Sequence, residues 1–180
     1  MAKTDTLTKN FNNFIPTGFR LNIDKIPNVT YFCQSASLPG ISMNPVLLTN
    51  RFRDVPVAGD KAQYNELRVR FVIDEELRNW IEIYNWIKGM TFPESHDQYV
   101  SQKNTGDGYT NLSGFYSDGN LFILSSHKNI QYKAVFTGLF PTTLTDIDMD
   151  SSLGDIDAIT ADVSFSYVEY RIERMISDHG

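Results

Sequence analysis

Apolar and polar residues alternate strictly in the middle of the chain and then change to a helical period. In the stretch that ends at Ile73, every second residue is apolar and the residues between are mostly charged, which predicts a β-strand with one buried face. An α-helix at about 74–89 is predicted next, with Asp74 as its N-cap. Its apolar stripe, spaced by three and four, consists of Leu77, Trp80, Ile81, Tyr84 and Ile87.

The two tryptophans of this helix are predicted to lie on different faces. They are separated by about 240° around the helix axis, because each residue of an α-helix advances by about 100°. Trp80 belongs to the apolar stripe and is assigned to the core. Trp86 lies on the flank of the stripe and is the better candidate for contact with a neighbouring chain.

The remaining hydrophobic pattern is almost entirely that of strands. Strands are predicted at residues 19–24, 29–36, 121–124, 130–137, 143–149 and 159–167, with turns at Pro27-Asn28 and at residues 138–142. The first two strands are expected to form a hairpin. The predicted fold class is mainly β (α+β), an antiparallel β-barrel or sandwich with one flanking α-helix.

A long connection between the second strand and the helix is too apolar for an ordinary surface loop. Structureless loops of about 20 residues are uncommon within compact domains. We therefore expect residues 41–58 to form an extended arm or hairpin that is buried against a second subunit. The candidate contacts between subunits on this arm are Val46, Leu47, Leu48, Phe52, Val55 and Val57.

The chain of 180 residues is long enough for one domain with a substantial core. The predicted domain covers residues 19–172, follows an N-terminal arm at 1–18 and precedes a C-terminal tail at 173–180. A loop insertion is predicted at 91–120 from its content of Ser, Asn, Asp, Gly and Tyr. No apolar run approaches the ~20 residues of a membrane span, so we expect a soluble protein without membrane contact.

Charge and composition reduce the number of possible functions. The net charge is −6, and the 16 lysines and arginines are dispersed rather than clustered, which argues against tight binding of nucleic acid. The single cysteine, Cys33, lies in a strand pattern and is interpreted as an inert core or interface residue rather than a catalytic thiol.

Two groups of residues superficially resemble reactive sites. Asp146, Asp148 and Asp150 with Asp157 have part of the spacing of a calcium loop, but Ser151 takes the place of the required glycine. We favour a solvated strand face for these aspartates. The residues at 95–97 have the types of a hydrolytic triad, but such residues meet through the fold and not by adjacency. No catalytic, metal-binding or cofactor-binding residue is predicted, and no enzymatic activity is expected.

Four stretches in a fixed order carry a resemblance to a known family. They are Phe32 to Gly40 (FCQSASLPG), Val57 to Asp60 leading to the strand at 66–75, the helix that ends Tyr84-Asn85-Trp86, and Phe136 to Thr142 (FTGLFPT) followed by residues 148–151 and the final strand. Together they span most of residues 19–170. In these stretches the chain resembles the tail-tube proteins of contractile-tailed bacteriophages, including the tube initiators of the baseplate, and more distantly the tube protein of type VI secretion.

This resemblance implies a structural virion protein. Family members assemble into hexameric rings that stack into a tail tube, which is a passive conduit for DNA. The implied partners are further copies of the chain and the tail sheath and baseplate proteins, with assembly in the host cytoplasm and no cofactor. A specialised tube initiator, baseplate protein or tail-end ring of the same fold is the alternative, and a small-ligand binding module is the alternative from another class.

The polar sides of the long strands are the candidate lining of such a channel. They consist of Glu66, Arg68, Arg70, Gln131, Lys133, Thr160, Asp162, Ser164 and Ser166. A passive conduit must not bind the DNA that passes through it. Each phosphate that is neutralised by a fixed cation of the lining adds to the affinity of the lining for DNA. We therefore expect a neutral to negative lining in which carboxylates such as Glu66 and Asp162 offset the basic residues, without contacts that read the bases.

Overall fold

The computed structural model describes residues 18–91, 113–149 and 158–175. In these ranges the protein is mainly β and its strand pairs are antiparallel, which confirms the predicted fold class. The elements are β1 (Phe19–Ile23), α1 (Pro27–Tyr31), β2 (Cys33–Ala36), β3 (Ile41–Met43), β4 (Val46–Thr49), β5 (Asp54–Val57), β6 (Ala62–Tyr64), β7 (Leu67–Val72), α2 (Arg78–Thr91), a 3-10 turn (Ser113–Phe115), β8 (Ser117–Leu124), β9 (Ile130–Leu144), β10 (Thr160–Ser166) and β11 (Glu169–Arg174).

Seven strands form the body of the protein, and β9 joins its two parts. The strand order is β1-β8-β9-β10-β7-β2, and β11 also pairs with β9. Because β8 and β11 pair with the same residues of β9, they must lie on its opposite edges. The buried faces of β7, β9 and β10 supply much of the core, with Leu67, Val69, Phe71, Ala134, Phe136, Leu139, Ala161, Val163 and Phe165.

The predicted turn at residues 138–142 is wrong, because β9 continues through it for 15 residues. Gly138 has a φ of +65°, a conformation that glycine adopts without the strain of a side chain. The buried positions change there from Ala134 and Phe136 to Leu139 and Pro141. An extra residue at this point therefore shifts the side-chain alternation and keeps the apolar side of β9 facing the core.

Replacing Gly138 by alanine should lower the free energy of unfolding by about 1–2 kcal/mol, since a left-handed backbone is strained for a residue with a Cβ. The added Cβ would also lie 2.8 Å from Cγ2 of Val168. Chemical denaturation would measure the loss, with Gly119→Ala as the control, because a Cβ there meets no atom closer than 3.4 Å. An equal loss in both variants would refute the proposed role of the positive φ.

The predicted hairpin of the first two strands is also wrong. Residues 27–31 form the short helix α1, with Pro27 in its first turn, where the missing amide hydrogen costs nothing. Val29 of this helix is fully buried. Instead of pairing with each other, β1 pairs with β8 and β2 pairs with β7, so the first two strands lie at opposite ends of the sheet path.

Helix α2 begins four residues later than predicted and is rotated about its axis. Asp74 is not its N-cap: its carbonyl accepts a bond from the amide of Leu77, a residue with a φ of +56°. The cause is Asn79, which is completely buried. Its Nδ2 donates to the carbonyl of Val72 at 2.7 Å, and its Oδ1 accepts from the amide of Asp74, so the amide side chain joins the helix start to the end of β7.

This rotation buries Trp86 in the core and leaves Trp80 partly buried beside it. Trp86 is only 2% exposed, and its Nε1 donates to the carbonyl of Phe115 at 2.8 Å. The prediction that Trp86 contacts a neighbouring chain is therefore wrong. Trp80 is half-buried, and the buried side of α2 consists of Asn79, Ile83, Trp86 and Gly89.

Parts of the predicted boundaries differ from the structure. The end of the predicted insertion, residues 117–120, belongs to β8, and β11 extends into the predicted C-terminal tail as far as Arg174. Residues 145–149 lie in no strand, so the strand face predicted for Asp146 and Asp148 is wrong. Asp150, Asp157 and the triad-like residues 95–97 lie outside the described residues, as do 1–17, most of the predicted insertion and 176–180.

Candidate assembly surfaces

The apolar segment at 41–58 lies in a β-ribbon with two paired parts. The first part pairs β3 with β6, and the second is the hairpin of β4 and β5. Its apolar side chains are largely exposed: Leu47 is 59% exposed, Leu48 57% and Phe52, in the turn, 90%. Val46 and Val57 are also exposed, whereas Val55 is half-buried. The structure thus places all six arm residues predicted to contact another subunit on one hairpin.

Both faces of this hairpin are apolar. Residues directly opposite each other in an antiparallel pair project from the same face. Val46 with Val57 and Leu48 with Val55 therefore form one face, and Leu47 with Pro56 forms part of the other. A ribbon with two apolar faces can bury both of them only between two surfaces.

Tyrosines attach the base of this arm to the body. The hydroxyl of Tyr167 donates to the carbonyl of Asn65 at 2.7 Å, and that of Tyr170 donates to the carbonyl of Pro39 at 2.8 Å. The ring of Tyr64 lies 6.1 Å from that of Tyr167. Burial, with the nearby Tyr170 and Tyr64, raises the pKa of Tyr167 to about 12, so its hydroxyl remains a donor at neutral pH. No pattern in the sequence predicts these tyrosine contacts with the base of the arm.

The second candidate surface is the polar side of β7 and β10. The register places Arg70 opposite Asp162 and Arg68 opposite Ser164. Arg70 donates from Nε and Nη2 to the two carboxylate oxygens of Asp162 at 2.9 and 3.0 Å. The hydrogen bonding with Asp162 and the negative charge of its carboxylate raise the pKa of Arg70 above its ordinary value. The guanidinium charge is thus matched by a carboxylate on the same surface.

Neighbouring strands extend this polar surface. Glu66 accepts a hydrogen bond from the Thr142 hydroxyl at 2.9 Å, and that hydroxyl also lies 3.1 Å from the carbonyl of Ser164. Thr160 and Ser166 lie further along the same side of β10. Thr142 also belongs to this polar surface. The sequence did not indicate it, because residues 138–142 were predicted to form a turn and not part of a strand.

Gln131 and Lys133 lie apart from this group. They belong to the first half of β9, which pairs with β8 and β11 rather than with β10. The residue opposite Lys133 is Glu173 of β11, so the carboxylate nearest in the register is neither Glu66 nor Asp162. Residue 173 was predicted to lie in a C-terminal tail, so the sequence pattern did not indicate that it faces Lys133.

The described residues offer neither a candidate metal site nor a reactive thiol. They contain no group of three or more His, Cys, Asp or Glu residues that could hold a metal ion. Burial raises the pKa of the Cys33 thiol to about 11, so it is protonated and a poor nucleophile at neutral pH. Within the same ranges, no helix has the length and apolar character required to cross a membrane.

An exposed apolar arm and a charge-balanced polar surface are features suited to protein assembly. The family model for phage tail tube proteins matches residues 4–173. The chain therefore belongs to the phage tail tube protein family, which confirms the resemblance. It is therefore a structural component of a phage tail.

Individual relatives agree with this assignment. The tail tube terminator protein of Enterobacteria phage T4 is 25% identical over 183 residues, which cover 95% of each chain. The tube-terminating cap of the anti-feeding prophage has a TM-score of 0.63 at 12% identity and covers 97% of this chain and 100% of its own. The sheath/tube terminator of the extracellular contractile injection system PVC has a TM-score of 0.60 at 14% identity, covering 91% and 99%. At identities of 12% and 14%, these two structures show that the fold is shared with this chain, and nothing beyond the fold.

Proposed function

We propose that the protein is a tube terminator, a ring of six copies that closes one end of a phage tail tube. The observation that carries this proposal is the similarity to the tail tube terminator of phage T4, which extends over 95% of both chains. It supports the tail-end ring, which was one of the alternatives left by the sequence. The repeated tube subunit is the second candidate, supported by the family match and by a TM-score of 0.57 to a chain of the PVC sheath-tube complex.

The arm supports self-association because its exposed apolar side chains are a liability in an isolated subunit. The number of copies is taken from the hexameric rings of the family that the sequence resembles. The tail sheath is the proposed partner outside the ring, since the PVC terminator with this fold belongs to an assembly of sheath and tube.

Electron microscopy of the purified protein over a range of concentrations distinguishes the candidates. A terminator should form single rings whose thickness does not grow with concentration, and these rings should stop the elongation of tubes formed by a separate tube protein. Tubes that lengthen with concentration would overturn the proposal of a tube terminator and support the second candidate, the repeated tube subunit. A monomer at all concentrations would contradict both and favour a small-ligand binding module.

The polar surface of β7 and β10 is the proposed lining of the ring. Its acidic residues Glu66 and Asp162 equal its basic residues Arg68 and Arg70 in number, in a chain with a net charge of −6. Fixed cations slow the passage of DNA by binding its phosphates. A lining in which carboxylates offset the arginines therefore suits a passive conduit, and we expect it to make no base-specific contacts.

Replacing Asp162 by asparagine should increase the affinity of assembled rings for duplex DNA, because it removes the carboxylate that pairs with Arg70. The expected effect is several-fold at low salt and smaller at high salt, since the contact would release counterions. Fluorescence anisotropy would measure it. Glu75→Gln, which removes the same charge from an exposed position before α2, should have little effect. Equal affinities of the two variants would argue against this lining.

A further inference from the structure

The arm consists of two β-ribbons that are separated by an unpaired joint. In the base ribbon, β3 pairs with β6 as far as Met43 and Ala62, and in the tip hairpin β4 pairs with β5. Residues 44–45 on one side of the joint therefore face residues 58–61 on the other side. No backbone hydrogen bond joins these two described segments. Extra residues on one strand interrupt the ladder in this way and bend the ribbon locally.

Tyrosine side chains hold the base ribbon at the end where it leaves the body. The hydroxyl of Tyr170 donates to the carbonyl of Pro39, which precedes β3. The hydroxyl of Tyr167 donates to the carbonyl of Asn65, which directly follows β6. Both rings pack against the fully buried Phe136, with their centroids 5.5 and 5.1 Å from its own. Each strand of the base ribbon is therefore tied to a side chain that is itself packed on the core.

The tip hairpin has no comparable attachment. Its apolar side chains Leu47, Leu48 and Phe52 are all more than half exposed. In the part of the chain that the structure describes, no hydrogen bond, ion pair or contact between aromatic rings links residues 46–57 to the body. The contacts that hold the arm thus end at the joint.

We propose that the arm is a jointed element, in which tyrosines fix the base ribbon to the body and the tip hairpin pivots at the joint. A few residues at the ends of regular elements commonly act as such hinges, because they absorb the change in backbone torsion angles. The ladders on both sides of the joint stay intact, so the motion breaks no backbone hydrogen bond. Four residues per strand place the turn about 13 Å beyond the joint, so a swing of about 30° moves it by about 7 Å.

Single-molecule fluorescence energy transfer at picomolar concentration, where subunits are isolated, tests both parts of this arrangement. In a Cys33→Ser background, one dye is attached at His127→Cys, in the exposed turn between β8 and β9. The other is attached at Gln63→Cys on the base ribbon or at Phe52→Cys on the tip. Donor lifetimes report the distribution of each distance. The tip distribution should be about twice as wide as the base distribution. Equal widths would overturn the pivot.

Removing the two tyrosine hydroxyls should release the base ribbon. In the Tyr167→Phe, Tyr170→Phe variant, the rings remain but both hydrogen bonds to the arm are lost, so the base distribution should widen. The matched control is Tyr31→Phe with Tyr132→Phe, because these tyrosines are 83% and 40% exposed. Circular dichroism establishes that both double variants are folded. A base distribution of the same width in both would overturn the fixation by tyrosines.

Gly59 provides a separate test of the joint. A Cβ at this position would lie 2.1 Å from the carbonyl oxygen of Asn44, on the other side of the joint. Gly59→Ala should therefore push the two sides apart, which shifts the tip distance and leaves the base distance unchanged. Asp60→Ala is the control, because it changes the next residue without adding a Cβ. An unchanged tip distance in Gly59→Ala would overturn the joint as the pivot. The proposed function is not affected by any of these results, because they concern the isolated subunit.

Discussion

Replacing Trp86 by alanine should lower the free energy of unfolding by about 3–5 kcal/mol, because the truncation leaves a large cavity in the core. The ring centroid of Trp86 lies 6.2 Å from that of Phe165, and Lys25 Nζ lies 4.8 Å from the Trp86 centroid. The variant also leaves the buried carbonyl of Phe115 without the hydrogen bond from Nε1. Chemical denaturation monitored by far-UV circular dichroism would measure the loss.

Tyr84→Ala is the matched control, since it truncates an aromatic residue of the same helix that is 42% exposed. Its effect on unfolding should be much smaller, because little buried area is lost. If the control were the more destabilising variant, the rotation of α2 in the structure would be wrong and the face predicted from the sequence would be correct.

Replacing both Leu47 and Leu48 by aspartate should abolish ring formation and leave a folded, soluble subunit. The two side chains project from opposite faces of the hairpin, so the double variant places a charge on each face. Burying an unpaired carboxylate against an apolar surface is too costly to be offset by the remaining contacts. Size-exclusion chromatography with light scattering would show a monomer, and circular dichroism would show that this monomer is folded and unfolds cooperatively.

Tyr31→Asp provides the control for assembly, because it introduces a carboxylate at an exposed aromatic residue outside the arm, on α1. It should retain the rings of the unmodified protein. Loss of folding in the arm variant would mean that Leu47 and Leu48 belong to the core of the subunit. Rings in the arm variant that match those of the control would show that the arm does not build the assembly.

The strands that alternate most clearly were predictable from the sequence. In β7 and β10, apolar residues occupy every second position, and the structure buries Leu67, Val69 and Phe71 with Ala161, Val163 and Phe165. Alternation is a local property, so it can be recognised without knowledge of the partner strand. The apolar composition of the arm was informative for the same reason, since the connection at 41–58 was too hydrophobic for a solvated loop.

The errors arose where a long-range contact overrides the local pattern. Asn79 is polar and lies outside the predicted apolar stripe, but its amide hydrogen bonds to the end of β7 allow it to be buried and set the rotation of α2. A glycine and a proline suggested a turn at 138–142, whereas Gly138 produces a shift within a continuous strand. Likewise, which residue of β11 lies opposite Lys133 depends on the register between β9 and β11, which the sequence alone does not reveal.

The continuity of β9 has a mechanical consequence. Fifteen residues at about 3.4 Å each give this strand a length of about 50 Å. Along its central part, residues 132–137, β8 pairs with one edge and β11 with the other, and β10 pairs beyond them with residues 140–144. The hydrogen bonds of these ladders run across the strand. A pulling force along β9 would therefore shear bonds on both edges together, instead of peeling them apart singly, and the strand is the element best placed to carry tension through the subunit.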